Sequence, residues 1–173
     1  IVCSSDGLTW QVPSGVTNPL FSLANANAAG FDFNSDTHLI MLEDGTTQAL
    51  YWRAASAGTK QGIYVMTSTN GWVTKTAAAQ VLADLTAELT MLSPAIVYDG
   101  TNYRLYVVDN AAGVVNYYTC ATHNGTFATK VTCTLPSWLS SKLWHLDVKL
   151  VGSSWYMLVN SAERVSGDLL YLL

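Results

Sequence analysis

Two residues with titratable side chains, His145 and Asp147, stand two positions apart on one predicted strand. Leu146 and Val148 alternate with them, and this period of two is typical of a strand with one apolar and one polar face. A His and an Asp on the same face of a half-buried strand indicate a polar channel or cleft. Asp147 is therefore a candidate acid, with the alternative that it accepts hydrogen bonds from His145 or from backbone amides.

This strand belongs to a hairpin that the sequence repeats, and a period of about 50 residues is typical of propellers and solenoids. Each copy contains a glycine in its turn, and these glycines are Gly45, Gly100 and Gly152. Alignment on the glycines makes His38, Ser93 and His145 equivalent. It also makes Ile40, Ala95 and Asp147 equivalent. The aligned strands are therefore predicted to be the inner strands around one axis.

A second repeated feature is an Asp-Gly or Asn-Gly turn beside an apolar strand, at 4–10, 68–74 and 122–127. Such dipeptides favour tight turns because both central positions require positive φ. A hairpin, a third strand and a turn into a short fourth strand make one antiparallel propeller blade. The chain is thus predicted to be all-β, a single propeller segment, 1–173, with about three four-stranded blades. Their approximate bounds are 31–75, 91–130 and 143–173, the last continuing into a strand like 1–12.

Two stretches depart from the repeat. Residues 13–30 are rich in Asn, Ala and Ser and are predicted to cross the surface between blades. Within 76–89, Ala77, Val81 and Leu85 have spacings that suit a short helix, with a loop as the alternative.

Composition excludes several classes of function. The formal net charge is -4 and only 12% of the residues are charged, whereas nucleic-acid binding requires a clustered basic stripe. No apolar run approaches the roughly 20 residues that span a bilayer, so neither a nucleic acid nor a membrane is expected as a partner. Three cysteines without a CxxC pair argue against a zinc site. Reduced thiols are favoured, with a Cys120–Cys133 disulfide as the alternative in an oxidising environment.

The blade pattern resembles the five-bladed β-propellers of the furanosidase type, the fold of arabinanases, xylosidases and invertases. The segments that carry the resemblance are 93–100, 144–148 with 155–159, and 4–10. They look closest to glycosidase-like propeller domains of bacteriophage tail and other virion proteins, and 4–10 is similar to the Asp box of sialidase-like propellers. Three blades are too few for such a ring, and both ends of the sequence look like strand interiors. We therefore expect further blades from a longer chain or from neighbouring virion subunits.

The resemblance implies a site on the innermost strands, where glycoside hydrolysis needs two facing carboxylates. Among the aligned polar positions, only Asp147 supplies one. Asp36 lies just ahead of His38, but a turn or capping role is more common for an Asp in such a stretch. His38 and His145 together suggest a bound water or a channel cation such as calcium, and structural roles are the favoured alternative because no carboxylate cluster accompanies them. No other cofactor is expected.

Aromatic side chains are the second group of candidate ligand contacts, because sugars stack their C–H faces on aromatic rings. Most of the Trp and Tyr residues should pack between blades. Trp144 and Trp52 adjoin polar inner-strand or loop residues and are the predicted glycan contacts. The predicted rim residues are Arg53, Asp109, Glu163 and Arg164.

These features favour a non-catalytic or vestigial glycosidase-like propeller in a phage tail or virion protein, or in an extracellular protein. Its expected roles are structure and recognition of a host glycan. One alternative is an active propeller glycoside hydrolase whose remaining carboxylates lie in other blades. A second alternative is a propeller that binds another protein and no sugar.

Overall fold

The computed structural model describes residues 1–22, 24–25, 30–56, 60–82, 91–139, 143–161 and 170–172. Three antiparallel sheets follow one another along the chain. The first contains β1 (Phe33–Met41), β2 (Gln48–Ser56), β3 (Lys60–Ser68) and β4 (Ala79–Leu82). The second contains β5 (Met91–Tyr98), β6 (Tyr103–Asp109), β7 (Val114–Cys120) and β8 (Ala128–Thr132). The third contains β9 (Leu143–Val151), β10 (Ser154–Ser161) and β11 (Leu170–Leu172). The predicted all-β class is confirmed.

The second sheet lies between the other two and packs against both of them. Along β6, Leu105 and Val107 join a core shared with the first sheet, whereas Tyr106 and Val108 join a core shared with the third. Successive side chains of a strand point to opposite faces, so one strand contributes to both cores. This explains why the sequence of β6 is a nearly continuous apolar run.

Each inner strand, β1, β5 and β9, has an irregular pairing near its N-terminal end. Asp36 is the unpaired residue on β1, and Ser93 lies in the irregular stretch of β5. Both have a φ of 52°. The pairing of β9 with β10 shifts between Val159 and Ser161. An extra residue bends a strand and redirects side chains. The pairing of all three inner strands is therefore irregular at the same end, the N-terminal one.

Strand β4 is a correction to the sequence-based prediction of a helix or a loop over 76–89. Val81 and Leu82 are buried in the core between the first two sheets, and Ala79 pairs with Val65 of β3. Burial against a neighbouring strand outweighs the local apolar spacing, because strand formation depends strongly on tertiary context. Residues 83–90 lie outside the described part of the chain.

The N-terminal segment packs against the first sheet. Ile1, Val16 and Phe21 contact the cluster around Trp52, on the face of this sheet that is turned away from the second sheet. Cys3 pairs with Gln11 in an isolated bridge. Of residues 1–12, Ile1 thus packs against the first sheet, whereas Leu8, Trp10 and Val12 are exposed.

The cysteines are free thiols, and the strand register excludes the Cys120–Cys133 alternative. The amide of Cys133 donates to the carbonyl of Val115 (2.8 Å), and Val115 precedes Cys120 by five residues on β7. Five residues of extended strand span about 16 Å, whereas the Cα atoms of a disulfide lie at most about 7 Å apart. Burial raises the pKa of the Cys133 thiol.

Candidate functional site

His38, on β1, contacts both of the other sheets. Its Nδ1 accepts a hydrogen bond from the backbone N–H of Ile96 on β5 (2.9 Å). Its Nε2 lies 3.3 Å from a carboxylate oxygen of Asp147 on β9. Because Nδ1 is an acceptor, the ring proton belongs on Nε2, where it points toward Asp147. One neutral imidazole therefore links three sheets.

A second set of contacts joins the same three sheets through His145 of β9. Its Nδ1 makes a short hydrogen bond with the hydroxyl of Ser93 and lies 3.5 Å from a carboxylate oxygen of Asp36. Asp36 and Ser93 are the two non-glycine residues with positive φ on the inner strands. Such a backbone conformation is costly and marks positions where side-chain placement matters.

The Asp36 carboxylate forms an ion pair with the guanidinium of Arg53 on β2. The Arg53 Nε lies 3.1 Å from the carboxylate, and the two side chains are only 12% and 10% exposed. The hydroxyl of Ser35 also donates to Asp36 (2.9 Å), and the Arg53 guanidinium donates to the carbonyl of Met91 on β5 (3.1 Å). Burial lowers the pKa of Arg53 and Asp36 opposes this shift. The buried ion pair thus fixes Asp36 and connects the first two sheets.

The side chains of these contacts surround one cavity of about 370 Å³, which we name the central cavity. Its lining residues are Asp36, Thr37, His38, Ser93, Pro94, His145, Leu146 and Asp147. The most exposed of the charged or titratable side chains are His145 (49%) and Asp147 (45%), so the cavity opens beside β9. Trp144, which precedes His145 in the sequence and does not line the cavity, is half-exposed, and its ring is perpendicular to that of His145 at a centroid distance of 6.0 Å.

The arrangement of the sheets is similar to that of a known structure. The crystal structure of a thermostable family-43 glycoside hydrolase matches this chain with a TM-score of 0.63 and 14% sequence identity. The match covers 91% of this chain and 57% of that chain. The fold is a glycosidase-like β-propeller. No protein-family model and no curated protein matches the sequence.

The three sheets are therefore blades of a propeller, and β1, β5 and β9 are its inner strands. The central cavity lies among these inner strands, where residues of different blades approach one another. His38, Ser93, His145 and Asp147, which the sequence predicts as inner-strand site residues, all line it. Trp144 adjoins His145 in the sequence but is not one of the lining residues.

Two other predicted ligand contacts, Trp52 and Arg53, are placed differently by the propeller. Trp52 is 2% exposed, donates to Asn34 (3.0 Å) and stacks on Tyr64. Arg53 lies within β2 and is buried behind Asp36. Trp52 is thus a core residue and Arg53 a positioning residue, because pairing with β1 places this part of β2 inside the blade and not on a loop.

Of the other predicted rim residues, Asp109 does not line this cavity. Asp109 ends β6, is buried, and accepts a hydrogen bond from the amide of Ala112 (3.1 Å). Glu163 and Arg164 lie outside the described residues.

Asp36 is the site residue that alignment on the turn glycines misses. That alignment places His38 opposite Ser93 and His145, a position that Asp36 holds in the structure. The hairpin turns differ in length, since the last paired residues before them are Leu42, Asp99 and Val151. The glycine is the third residue after Leu42 but the first after Asp99 and after Val151. Aligning the three strands on the last paired residue, and not on the glycine, would have identified Asp36.

The described residues contain no group of three or more His, Cys, Asp or Glu side chains that could hold a metal ion. Calcium takes about six to eight oxygen ligands. Here the Asp36 carboxylate faces Arg53, and the Asp147 carboxylate faces His38 and Lys149. These two carboxylates, which already face other side chains, do not provide the oxygen ligands that a channel cation such as calcium requires. Within the same part of the chain, no helix has the length and apolarity to cross a membrane.

The protonation of His38 gives a testable dependence of stability on pH. Burial lowers the pKa of His38, nearby Lys149 acts in the same direction, and Asp147 opposes both. The unfolded chain therefore binds more protons than the folded protein below about pH 6.5, the ordinary value for His. The stability that neutral His38 contributes is complete above that pH and is lost as the pH falls through the lower folded value.

We expect the urea midpoint of unfolding to decrease when the pH is lowered from 7.5 to 5, and to decrease less in His38→Gln. Burial also lowers the pKa of His123, but His123 is present in both proteins and serves as an internal control. The same pH dependence with and without His38 would contradict a buried, neutral imidazole.

Proposed function

We propose that this propeller segment recognises a glycan at the central cavity and does not hydrolyse it. The observation that carries the proposal is the convergence of six polar side chains from three blades in one cavity, with the half-exposed Trp144 next to His145. Ligand sites typically combine a concave surface of several hundred Å³ with a few well-placed polar groups. Carboxylate, imidazole and hydroxyl groups suit the alternating donors and acceptors of sugar hydroxyls, and Trp144 offers an indole for stacking.

The contacts of the two carboxylates, Asp36 and Asp147, support recognition without hydrolysis. Asp36 is already ion-paired with Arg53 and accepts a hydrogen bond from Ser35. Asp147 faces His38 at 3.3 Å and Lys149 at 3.5 Å. Carboxylates held by several donors are fixed acceptors for a ligand, whereas a glycosidase uses two carboxyl groups that face the scissile bond. The proposed role is therefore that of a vestigial site.

The proposed setting is a phage tail or other virion protein, or an extracellular protein, that contacts host glycans. A low charge content of 12% and a net charge of -4 support a surface that depends on uncharged polar residues. In this proposal the missing blades come from a longer chain or from neighbouring virion subunits. The partners are a glycan and these blades, without a cofactor.

An active propeller glycoside hydrolase is the second candidate function, and one observation favours it. Asp36 and Asp147 line the same cavity, so the segment brings two carboxylates to one place where the sequence alignment indicates one. Hydrolysis requires such a pair facing across the scissile bond. In this candidate, the remaining catalytic carboxylate lies in a blade outside the segment.

Binding and turnover experiments distinguish the two candidates. We expect binding on a glycan array that survives Asp147→Asn and is weakened at least tenfold by Trp144→Ala, because the indole supplies the stacking surface. Trp10→Ala is the matched control, since Trp10 is also exposed but belongs to the N-terminal segment, and it should leave binding unchanged. A panel of 4-nitrophenyl glycosides should show no turnover.

Two outcomes would contradict the proposal. Turnover of a 4-nitrophenyl glycoside that disappears in Asp147→Asn would establish the hydrolase. Absence of binding to any sugar on the array would leave a propeller that binds another protein.

A further inference from the structure

A second groove lies between the second and third blades, at the hairpin-turn end of their inner strands. It has a volume of about 520 Å³, and its lining residues are Asp99, Thr101, Asn102, Arg104, Leu150, Gly152, Ser153 and Trp155. We name it the turn groove. His145 of the central cavity and Gly152 of the turn groove are seven residues apart on one strand and its turn, which corresponds to about 23 Å. The two sites are therefore separate.

Three residues that contact one another, Asp99, Arg104 and Trp155, form the floor of the turn groove. The Nε of Arg104 lies 2.7 Å from Asp99, and the Asp99 carboxylate also accepts the amides of Thr101 (3.0 Å) and Asn102 (2.8 Å). The guanidinium of Arg104 lies over the ring of Trp155, 4.8 Å from its centroid. These contacts hold Arg104 and Trp155 in one arrangement before any ligand arrives, which lowers the cost of binding.

The rim of the turn groove offers side-chain hydroxyl and amide groups without a hydrogen-bond partner among the described residues. The side chains of Thr101, Asn102 and Ser153 make no hydrogen bond to any described residue. They supply two hydroxyl groups and one amide, each of which can donate and accept. A ligand with several hydroxyl groups would match this set better than an apolar ligand would.

We propose that the turn groove is a second saccharide-binding site, specific for uncharged oligosaccharides. The positive charge of Arg104 is already compensated by Asp99, so the groove offers no unpaired charge for an acidic sugar. Trp155 is 36% exposed and provides the apolar contact that sugar C–H groups require. Thr101, Asn102 and Ser153 provide the hydrogen bonds.

This inference does not depend on the function proposed for the central cavity, because no residue lines both sites. If both sites bind one polysaccharide, the second contact becomes intramolecular and raises the overall affinity. Each site can be disabled without the other. Trp144→Ala removes the indole beside His145 of the central cavity, and Asn102→Ala affects the rim of the turn groove.

The test is an NMR titration of the Trp144→Ala protein, in which only the turn groove remains intact. The neutral probes are xylohexaose, cellohexaose and maltohexaose, and the charged probe is hexagalacturonate. We expect at least one neutral probe to shift the indole N–H signal of Trp155 and the side-chain amide signals of Asn102. Asn102→Ala should weaken this binding at least tenfold while the melting temperature stays unchanged, because the Asn102 side chain makes no hydrogen bond to any other described residue.

Two results would overturn the proposal. One is that none of the neutral probes shifts the signals of Trp155 and Asn102. The other is that hexagalacturonate alone shifts them, since this would show that Arg104 binds an anion. Trp10→Ala in the same background controls for nonspecific stacking, because Trp10 is exposed and far along the chain from the groove.

Discussion

Replacing Arg53 with methionine is expected to lower the free energy of unfolding by about 3 to 5 kcal/mol. The Arg53 and Asp36 side chains are 12% and 10% exposed, so the substitution leaves a buried carboxylate without its cation. It also removes a hydrogen bond to the carbonyl of Met91, a direct link between the first two blades. Urea unfolding followed by tryptophan fluorescence measures the loss.

Lys149→Met is the matched control for this experiment. Lys149 also pairs with an aspartate of the central cavity, Asp147, but its side chain is 59% exposed. Exposed ion pairs contribute at most about 1 kcal/mol, so a loss of that size or less is expected. Adding Asp36→Asn to Arg53→Met should recover part of the stability, because it removes the unpaired charge. Equal, small losses in Arg53→Met and Lys149→Met would contradict the buried pair.

Leu105→Ala is expected to cost about 2 to 5 kcal/mol. Leu105 is fully buried in the core between the first and second blades, where it packs with residues of both. Removing its side chain deletes apolar contacts and leaves a cavity that rigid strands on both sides cannot close. The free energy of unfolding in urea gives the magnitude.

Leu39→Ala makes the same chemical change at an exposed position and serves as the control. Leu39 is 46% exposed on β1, so we expect a loss of less than about 1 kcal/mol. If Leu105→Ala cost no more than Leu39→Ala, the first and second sheets would not share a core and the propeller arrangement would be wrong.

The sequence pattern predicts the blades well because each depends on local features. Alternating apolar residues indicate strands such as β6, and turn glycines such as Gly45 and Gly152 have positive φ in the structure. The inner strands and most residues of the central cavity follow from the repeat. His38, Ser93, His145 and Asp147 were placed on inner strands from sequence, and all four line one cavity.

The remaining features depend on contacts between blades, which no local pattern contains. The turn after β1 is longer than the turn after β5, with four residues between Leu42 and Thr47, so alignment on the turn glycines puts His38 in the position that Asp36 holds. Trp52 and Arg53 look accessible beside polar neighbours, but the covering N-terminal segment and the Asp36 ion pair bury them. Strand β4 forms because its residues complete a core that the second blade provides.

The central cavity and the turn groove give the two ends of the inner strands different chemistry. At one end, irregular pairing brings charged and imidazole side chains together across three blades. At the other end, regular hairpin turns present Thr101, Asn102 and Ser153 around a fixed Arg104–Trp155 unit. A propeller with both sites would hold an extended glycan at two separate points.

The most direct test of the account is the tautomer of His38, because its ring contacts all three blades. Long-range ¹H–¹⁵N correlation spectra report which imidazole nitrogen carries the proton, and the chain has only 3 His residues to assign. At pH 7.5, we expect a neutral His38 with its proton on Nε2 and with Nδ1 as an acceptor from the backbone N–H of Ile96. A proton on Nδ1, or the averaged signals of an exposed imidazole, would show that the three blades do not meet at His38 and that the central cavity is not formed.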